Sequence, residues 1–213
     1  CWFCLQSADL EKHLIICVGE HFYLALAKGP VNNFHILLIP IEHAQSVAVL
    51  NEDQFQELEI FKRSLKKLYD SMDQVVVFFE RNYMSSHMNM NALGIPREIE
   101  WQLPETLKDK ADEFSLQFET IPKITSAKDL PERGAYFTVE FPNETLITRT
   151  MNKFPINFGR DFVCDSNLLN APDRIDWRDC KITKGIEIDI VNAVKEKYKE
   201  FDFTGNDDND DDE

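Results

Sequence analysis

The chain has 213 residues, which is enough for one large domain or two small ones. Hydrophobic residues make up 43% of it and include 16 phenylalanines, so a wholly disordered chain is excluded. With 38 acidic and 23 basic residues the net charge is −15, which disfavours polyanion binding through the bulk surface but leaves room for a local basic groove. Residues 205–213 carry only acidic charge and are predicted to be a disordered tail.

Membrane and secretory signals are missing from the sequence. No run approaches the ~18 apolar residues of a membrane helix, and no signal peptide opens the chain. The first residue is Cys1 rather than methionine, which indicates a piece of a longer protein. The five cysteines are an odd number, so we expect a reducing compartment and metal-bound or free thiols rather than disulfides.

The first hundred residues predict three strands, one long helix and two further strands. The turn-bounded apolar stretches that favour strands are 14–18, 22–27, 35–39, 75–79 and 87–93. Asn51 offers an N-cap, and the apolar residues that follow recur at helical spacing, which predicts a helix over 52–72. These elements form a first module over residues 1–100.

A second module is predicted after a connector. Residues 101–131 are acidic and contain prolines, with a short helix over 105–118, so this segment is predicted to be a connector. The second module covers 132–204. Its predicted elements are a hairpin of 136–141 with 145–150 and helices over 156–169 and 183–201.

Cys1 and Cys4 form a C-x-x-C pair, whose thiolates can chelate zinc from one side of a tight turn. The same spacing suits a redox pair or two cysteines without a ligand, although redox pairs usually belong to a βαβ setting. Zinc requires two more ligands, and the candidates are His13, His21, His35, His43 and His87. His43 and His87 can both meet the thiolates if the strands beside them are neighbours. The alternative is a pair of hydrogen-bonded, partly buried histidines.

The order of these segments resembles the histidine-triad superfamily, whose hallmark is H-φ-H-φ-H-φ-φ. The matching segments are Cys1–Cys4, the run 35–43, the helix and His87–Leu93. The resemblance implies an α+β fold, in which an antiparallel sheet with a long helix is followed by the smaller α+β module. In zinc-bearing relatives, including the hexose-phosphate uridylyltransferases, the equivalent residues bind a structural zinc. The ligands so implied are Cys1, Cys4, His43 and His87.

Two triad positions depart from the superfamily. The middle histidine, which accepts a nucleotidyl group in relatives, is Asn89 here, and an amide nitrogen is neither basic nor nucleophilic. The third is Asn91, which can donate a hydrogen bond to phosphate but cannot act as a general acid. His35 corresponds to a histidine beside the phosphate pocket. We therefore predict no catalytic residue, and either a phosphate or RNA-backbone cleft at His35, Asn89 and Asn91 or an unused cleft.

Longer stretches in both modules are similar to the C-terminal part of CwfJ-family proteins. The resemblance covers residues 1–204, and the motifs that carry it are Cys1–Cys4, Glu11–Leu14, Tyr23–Gly29, Phe79–Asn82, Phe154–Asp161, Trp177–Cys180 and Phe201–Thr204. Asp161 stands where family members commonly have glutamate. The Ala27-Lys-Gly29 variant resembles the branch associated with the lariat-debranching enzyme.

This resemblance implies a factor in mRNA splicing and processing. We expect a nuclear location, with the cytoplasm left open. The expected partners are branched or lariat intron RNA, the lariat debranching enzyme and late spliceosome components, with no membrane. The function so implied is a non-catalytic factor that recognises the lariat or the late spliceosome and assists debranching and intron turnover. The alternatives are an active histidine-triad-type nucleotide hydrolase or transferase and a pure protein-docking module.

Candidate RNA contacts come from both modules. Arg81 lies just before the degenerate triad, and Arg160 lies in a basic interval of the second module. Arg160 has a structural alternative, which is to pair with a neighbouring acid. A second basic interval consists of Arg174, Arg178, Lys181 and Lys184, and such intervals are more often ordinary solvated surface. The lysines of the long helix, including Lys62, are expected on its solvated face.

Overall fold

The computed structural model describes residues 1–205, so the predicted acidic tail, apart from Gly205, lies outside the described residues. Within that range, no helix combines the length and the apolar character that crossing a membrane requires. Its elements confirm the predicted α+β class.

The strands of the described part of the chain form one antiparallel sheet of eight. The strands are β1 (Ile15–Val18), β2 (Phe22–Leu26), β3 (Ile36–Pro40), β4 (Gln74–Asn82), β5 (Met90–Pro96), β6 (Glu119–Ile121), β7 (Tyr136–Glu140) and β8 (Thr145–Thr148). Their spatial order is β1-β2-β3-β5-β4-β7-β8-β6. The helices are α1 (Glu52–Asp70), α2 (Leu103–Glu113), α3 (Phe158–Val163) and α4 (Lys184–Tyr198).

The sheet is continuous from the first predicted module into the second. β4 pairs with β7 from Phe78 opposite Glu140 to Asn82 opposite Tyr136. The 136–148 hairpin therefore extends the sheet of the first module and does not form a sheet of its own. The module bounds at residues 100 and 132 stay a prediction.

Helix α1 covers one face of the sheet. It begins in a capping box, because the Asn51 side chain accepts from the Gln54 N–H at 2.9 Å and the Gln54 side chain accepts from the Asn51 N–H at 3.1 Å. Its apolar stripe packs on β-strand residues such as Phe78, and α4 adds Val191 and Val194 to the same core. Propensity, capping and amphipathicity agree here, so the predicted helix is confirmed.

The opposite face is covered in two parts. Side chains alternate along a strand, so Val77 and Phe79 point away from α1 and pack against α2 and α3. At the β2–β3 end no helix of residues 1–205 covers this face, and a smaller cluster around Tyr23 and Ile39 packs against Phe3. The candidate site lies on this partly uncovered face.

Several predicted elements differ from the observed ones in extent: α2 ends at Glu113 rather than at residue 118, and α4 ends at Tyr198 rather than at residue 201. The late strand begins at Met90 rather than His87, because Met88 N–H donates to the Ala44 carbonyl and this segment follows the loop after β3. Helix α3 spans only Phe158–Val163, because the chain turns at Asp165, whose carboxylate accepts from the Asn167 N–H at 2.9 Å.

The prediction that Lys62 lies on the solvated face of α1 is wrong, because this lysine is buried. Its Nζ lies 2.7 Å from a carboxylate oxygen of Glu140 and 2.6 Å from one of Glu59. Glu140 ends β7, so this lysine joins α1 to the second hairpin. The helical period alone places Lys62 on a polar face, and the added strand is what buries that face.

We predict that buried Glu80 makes stability depend on pH. Burial raises its pKa to about 7, although hydrogen bonds from Val47 N–H and Tyr136 O–H act to lower it. The folded state therefore retains a proton that the unfolded chain releases near pH 4.5. Stability should fall as pH rises between these two values, by on the order of 3 kcal/mol, and Glu80→Gln should remove that fall.

Urea unfolding at a series of pH values measures this effect as the difference between the variant and parent curves. Glu132→Gln, at an exposed glutamate, is the matched control and should leave the pH dependence unchanged. A Glu80→Gln difference curve that is flat from pH 4.5 to 7 would contradict the assignment.

Candidate functional site

The four implied metal ligands meet at one end of the sheet. Cys1 and Cys4 lie in the turn before β1, His43 follows β3, and His87 precedes β5. Because β3 and β5 are paired, the loop after one and the segment before the other lie side by side. The ligand atoms of all four side chains lie within 4.8 Å of one another, so this group could hold a metal ion.

The ring orientations and the two sulfur distances of His87 suit a metal, whereas the Cys4–His43 distance is that of a direct hydrogen bond and would lengthen around an ion. Sγ of Cys4 lies 2.7 Å from Nε2 of His43, and Nδ1 of His87 lies 3.5 Å from Sγ of Cys1 and 3.8 Å from Sγ of Cys4. In a tetrahedral zinc site the sulfur–nitrogen edge is about 3.6 Å, given the usual bond lengths. The remaining ring nitrogens point at carbonyls, 2.7 Å from Pro40 O for His87 and 3.3 Å from Ser86 O for His43.

Those carbonyls fix the tautomers. A carbonyl oxygen only accepts, so His87 carries its proton on Nε2 and His43 on Nδ1, which leaves the cluster-facing nitrogens as lone-pair donors. Burial lowers the pKa of His87, which favours the neutral ligand form. Two thiolates and two neutral imidazoles fill a tetrahedron, so the donor set fits a closed structural site without a position for water.

A cavity of about 830 Å³ opens beside this cluster on the sheet face opposite α1. All five residues that the sequence predicts for phosphate or RNA binding line it, namely His35, Arg81, Asn89, Asn91 and Arg160. The lining charges are four cations and two carboxylates, within a chain whose net charge is −15. The net charge of the lining residues is therefore positive, whereas the net charge of the chain is negative.

His35 is fully buried, and the structure gives it a positioning role. Val31 N–H donates to its Nδ1 at 3.2 Å, so its proton lies on Nε2, which donates to Oδ1 of Asn91 at 2.9 Å. Burial, helped by the nearby Arg160 charge, lowers the pKa of His35 to about 3. The ring is neutral and both nitrogens are used, so His35 orients the Asn91 amide.

The two triad asparagines present donors to the cavity. Because Asn91 accepts from His35 through Oδ1, its NH₂ group is turned away from that ring. Asn89 is half-buried and also lines the cavity. Across residues 1–205 neither NH₂ group is used in another protein hydrogen bond, so both can donate to a ligand oxygen.

Arg81 is held at the cavity wall by its neighbour. Its Nη1 donates to the Tyr83 carbonyl at 3.0 Å, and its guanidinium carbon lies 5.1 Å from the Tyr83 ring centre. Its Nε is buried without a hydrogen-bond partner among the described residues. Burial lowers the pKa of Arg81, but the group keeps its charge at neutral pH.

Arg160 differs from the predicted acid pairing, because its partners are carbonyl oxygens. Its Nε donates to Ile175 O at 2.9 Å and to Arg174 O at 3.1 Å, and its Nη2 donates to Gly29 O at 2.8 Å. The guanidinium thus ties α3 to the loop after β2 and to the 174–175 turn. Its main use in the structure is to join segments, although it also lines the cavity.

Two tryptophans that line the cavity were not predicted as site residues from the sequence. Trp2 and Trp177 both line it, with ring centres 6.1 Å apart and planes at 80°. Lys181 and Arg178 lie 4.8 Å and 5.2 Å from the Trp177 ring centre. The position of Trp2 between two cysteines gives no sequence signal for the cavity, because its neighbour Trp177 lies far away in the chain.

Lys28 is a further lining residue that sequence reasoning missed, and its charge is already balanced. Its Nζ lies 2.6 Å from a Glu11 oxygen and 2.8 Å from Oε1 of buried Glu187 on α4. Oε2 of Glu187 lies 2.7 Å from Nε2 of His13. This network fastens α4 to the segment before β1.

We predict that Arg160→Lys destabilises the fold by about 2 kcal/mol, because an ammonium cannot reproduce the fork of bonds to three carbonyls. Urea unfolding measures the loss. Arg149→Lys, at an exposed arginine, is the matched control and should stay within about 0.5 kcal/mol of the parent. Equal stability of the two variants would show that the carbonyl contacts contribute little.

Comparisons with known proteins match almost all of the described chain. A family model described as "Protein similar to CwfJ C-terminal" matches residues 1–108, and one described as "Protein similar to CwfJ C-terminus 2" matches residues 113–204. The chain is 48% identical over 205 residues to CWF19-like protein 1 homolog of Drosophila melanogaster, covering 96% of this chain and 38% of that protein.

A vertebrate and a plant relative show similar coverage. Human CWF19-like protein 1 is 37% identical over 210 residues, covering 96% of this chain and 39% of that protein. Zinc finger CCCH domain-containing protein 59 of Oryza sativa subsp. japonica is 33% identical over 214 residues, covering 95% of this chain and 35% of that protein. The chain thus spans well under half the length of these relatives. It belongs to the CwfJ family and carries both of the family's C-terminal segments.

Proposed function

We propose that this chain is the non-catalytic RNA-binding part of a splicing and RNA-processing factor. In this proposal it recognises intron lariat RNA or the late spliceosome, in the nucleus, and assists the lariat debranching enzyme in intron turnover. Membership in the CwfJ family supports the general role in RNA processing. The chain's own residues support the non-catalytic, RNA-binding character.

The observation that carries the proposal is the composition of the cavity. It offers the amide donors of Asn89 and Asn91 and the guanidinium of Arg81, and its cations outnumber its carboxylates. Such donors suit phosphate and sugar oxygens. The volume of about 830 Å³ suffices for a nucleotide rather than a long duplex.

The same residues argue against nucleotidyl transfer. Asn89 has no nucleophilic nitrogen, because its lone pair is delocalised into the carbonyl. His35 cannot replace it, since its pKa is lowered to about 3 and both ring nitrogens are already bonded. General acid–base catalysis works best with a pKa near the working pH, which His35 lacks.

The ion proposed for Cys1, Cys4, His43 and His87 is a structural zinc. When bound, it would fix the N-terminal turn to the β3 and β5 ends of the sheet. Tyr23 O–H, which donates to the Phe3 carbonyl at 2.7 Å, holds the same turn from the sheet side. The turn forms one wall of the cavity, so the metal supports the RNA site without contacting RNA.

RNA binding is the first test. Fluorescence anisotropy and ultraviolet crosslinking should show that the chain binds branched RNA more tightly than linear RNA of the same sequence. Arg81→Ala should weaken binding by about tenfold and reduce its salt dependence, because a phosphate contact is lost. Arg63→Ala is the matched control, since Arg63 is exposed on α1 at the other face of the sheet, and it should bind like the parent.

Two results would contradict the proposal in favour of its alternatives. Turnover of dinucleoside polyphosphates or nucleoside phosphoramidates that is lost on His35→Ala would indicate an active hydrolase or transferase. Absent or salt-insensitive binding of branched RNA would indicate a protein-docking module.

The metal has a separate test. Elemental analysis should find about one zinc per chain, and Cys4→Ser should lose it and lower the melting temperature by several degrees, because metal binding adds to folding free energy. Cys17→Ala is the matched control, as Cys17 lies in β1 outside the cluster. A zinc-free protein with unchanged stability would overturn the metal assignment.

A further inference from the structure

We infer that Trp2 is a stacking platform for an unpaired RNA base at the mouth of the cavity. The inference deepens the RNA-binding role proposed above and rests on it. It names the chemical class of the ligand group, a nucleobase of single-stranded RNA, and the residue that receives it.

The turn that carries Trp2 buries one aromatic ring and displays the other. Phe3 packs against the Tyr23 cluster, and its ring centre lies 5.9 Å from that of His87. Trp2 is 65% exposed although it lies between Cys1 and Cys4 of the four-residue cluster. A large exposed indole is available for a planar partner, because every nucleobase has a π-face that can stack on an aromatic side chain.

The surroundings of Trp2 favour a base that carries phosphate. Trp177 meets it edge-on at 80°, so the two rings do not stack on each other. Lys181 lies 4.8 Å from the Trp177 ring centre and also lines the cavity. A base on Trp2 would therefore have a cation within reach of its phosphate, in the arrangement that single-strand-binding proteins use.

The charged groups around Trp2 favour a nucleotide over an apolar peptide as the ligand. Arg178 is partly balanced by Asp176, 3.3 Å away, whereas Lys181 has no carboxylate partner within residues 1–205. Farther in, the cavity presents Arg81 and the two triad amides. A neutral apolar peptide would leave these donors unpaired, while a ribonucleotide chain supplies acceptors along its length.

Fluorescence offers a direct test, since the chain has three tryptophans. With Trp101→Phe and Trp177→Phe combined, Trp2 is the remaining emitter. Titration with an unlabelled oligouridylate should quench its emission, because uridine has little self-stacking to lose. Removal of the metal with a chelator should reduce the quench, because the turn that positions Trp2 is then released.

Affinity measurements on single variants complete the test. Trp2→Ala should weaken oligouridylate binding by about tenfold, and Trp2→Phe should retain most of the affinity because it keeps a stacking ring. Trp101→Ala is the matched control, since Trp101 is 71% exposed and does not line the cavity. Zinc content measured on each variant verifies that the turn is intact.

The outcomes distinguish this inference from the proposal beneath it. If Arg81→Ala weakens RNA binding while Trp2→Ala has the same RNA affinity as Trp101→Ala, the stacking role is wrong. The RNA-binding proposal would then still stand. Absence of RNA binding in the parent chain would overturn both. Quenching of Trp2 together with a selective loss in Trp2→Ala would support the inference.

Discussion

The pairing of β4 with β7 is the contact on which the rest of the structure depends. β4 is buried along most of its length, so its outer edge needs a partner for the backbone N–H and C=O groups. β7 supplies that partner, and its last residue, Glu140, also neutralises buried Lys62 on α1. Without this pairing, the first family segment would expose a long apolar edge strand, which is a template for aggregation.

The cavity is formed on this shared sheet, and two side-chain contacts between the family segments shape its walls. α3 is carried to the sheet by the second segment, and Arg160 ties it to Gly29 of the first. At the other wall, Trp2 of the cysteine turn meets Trp177. The candidate site therefore belongs to neither family segment alone, and the four candidate metal ligands lie beside one wall of the cavity rather than at its centre.

The sequence predicts the site better where the chemistry is local. The N-cap at Asn51 and the amphipathic helix follow from local spacing, and the grouping of Cys1 with the two distant histidines follows from the family resemblance. The bonding of His35 to Asn91 and the burial of Lys62 by Glu140 follow from neither, because each is a long-range contact that no motif marks. Trp2 was not predictable as a cavity residue for the same reason, since its neighbour Trp177 lies in the other segment.

The close contact between Gly159 and Phe79 limits which residues the relatives of this chain can have at these two positions. A Cβ there would lie 2.4 Å from the ring of Phe79, so α3 rests on the sheet with no space between backbone and side chain. Any larger residue at 159 would lift α3 and strain the carbonyl bonds of Arg160. Across homologues, position 159 should accept a side chain only where position 79 has become smaller, and the two positions should therefore covary.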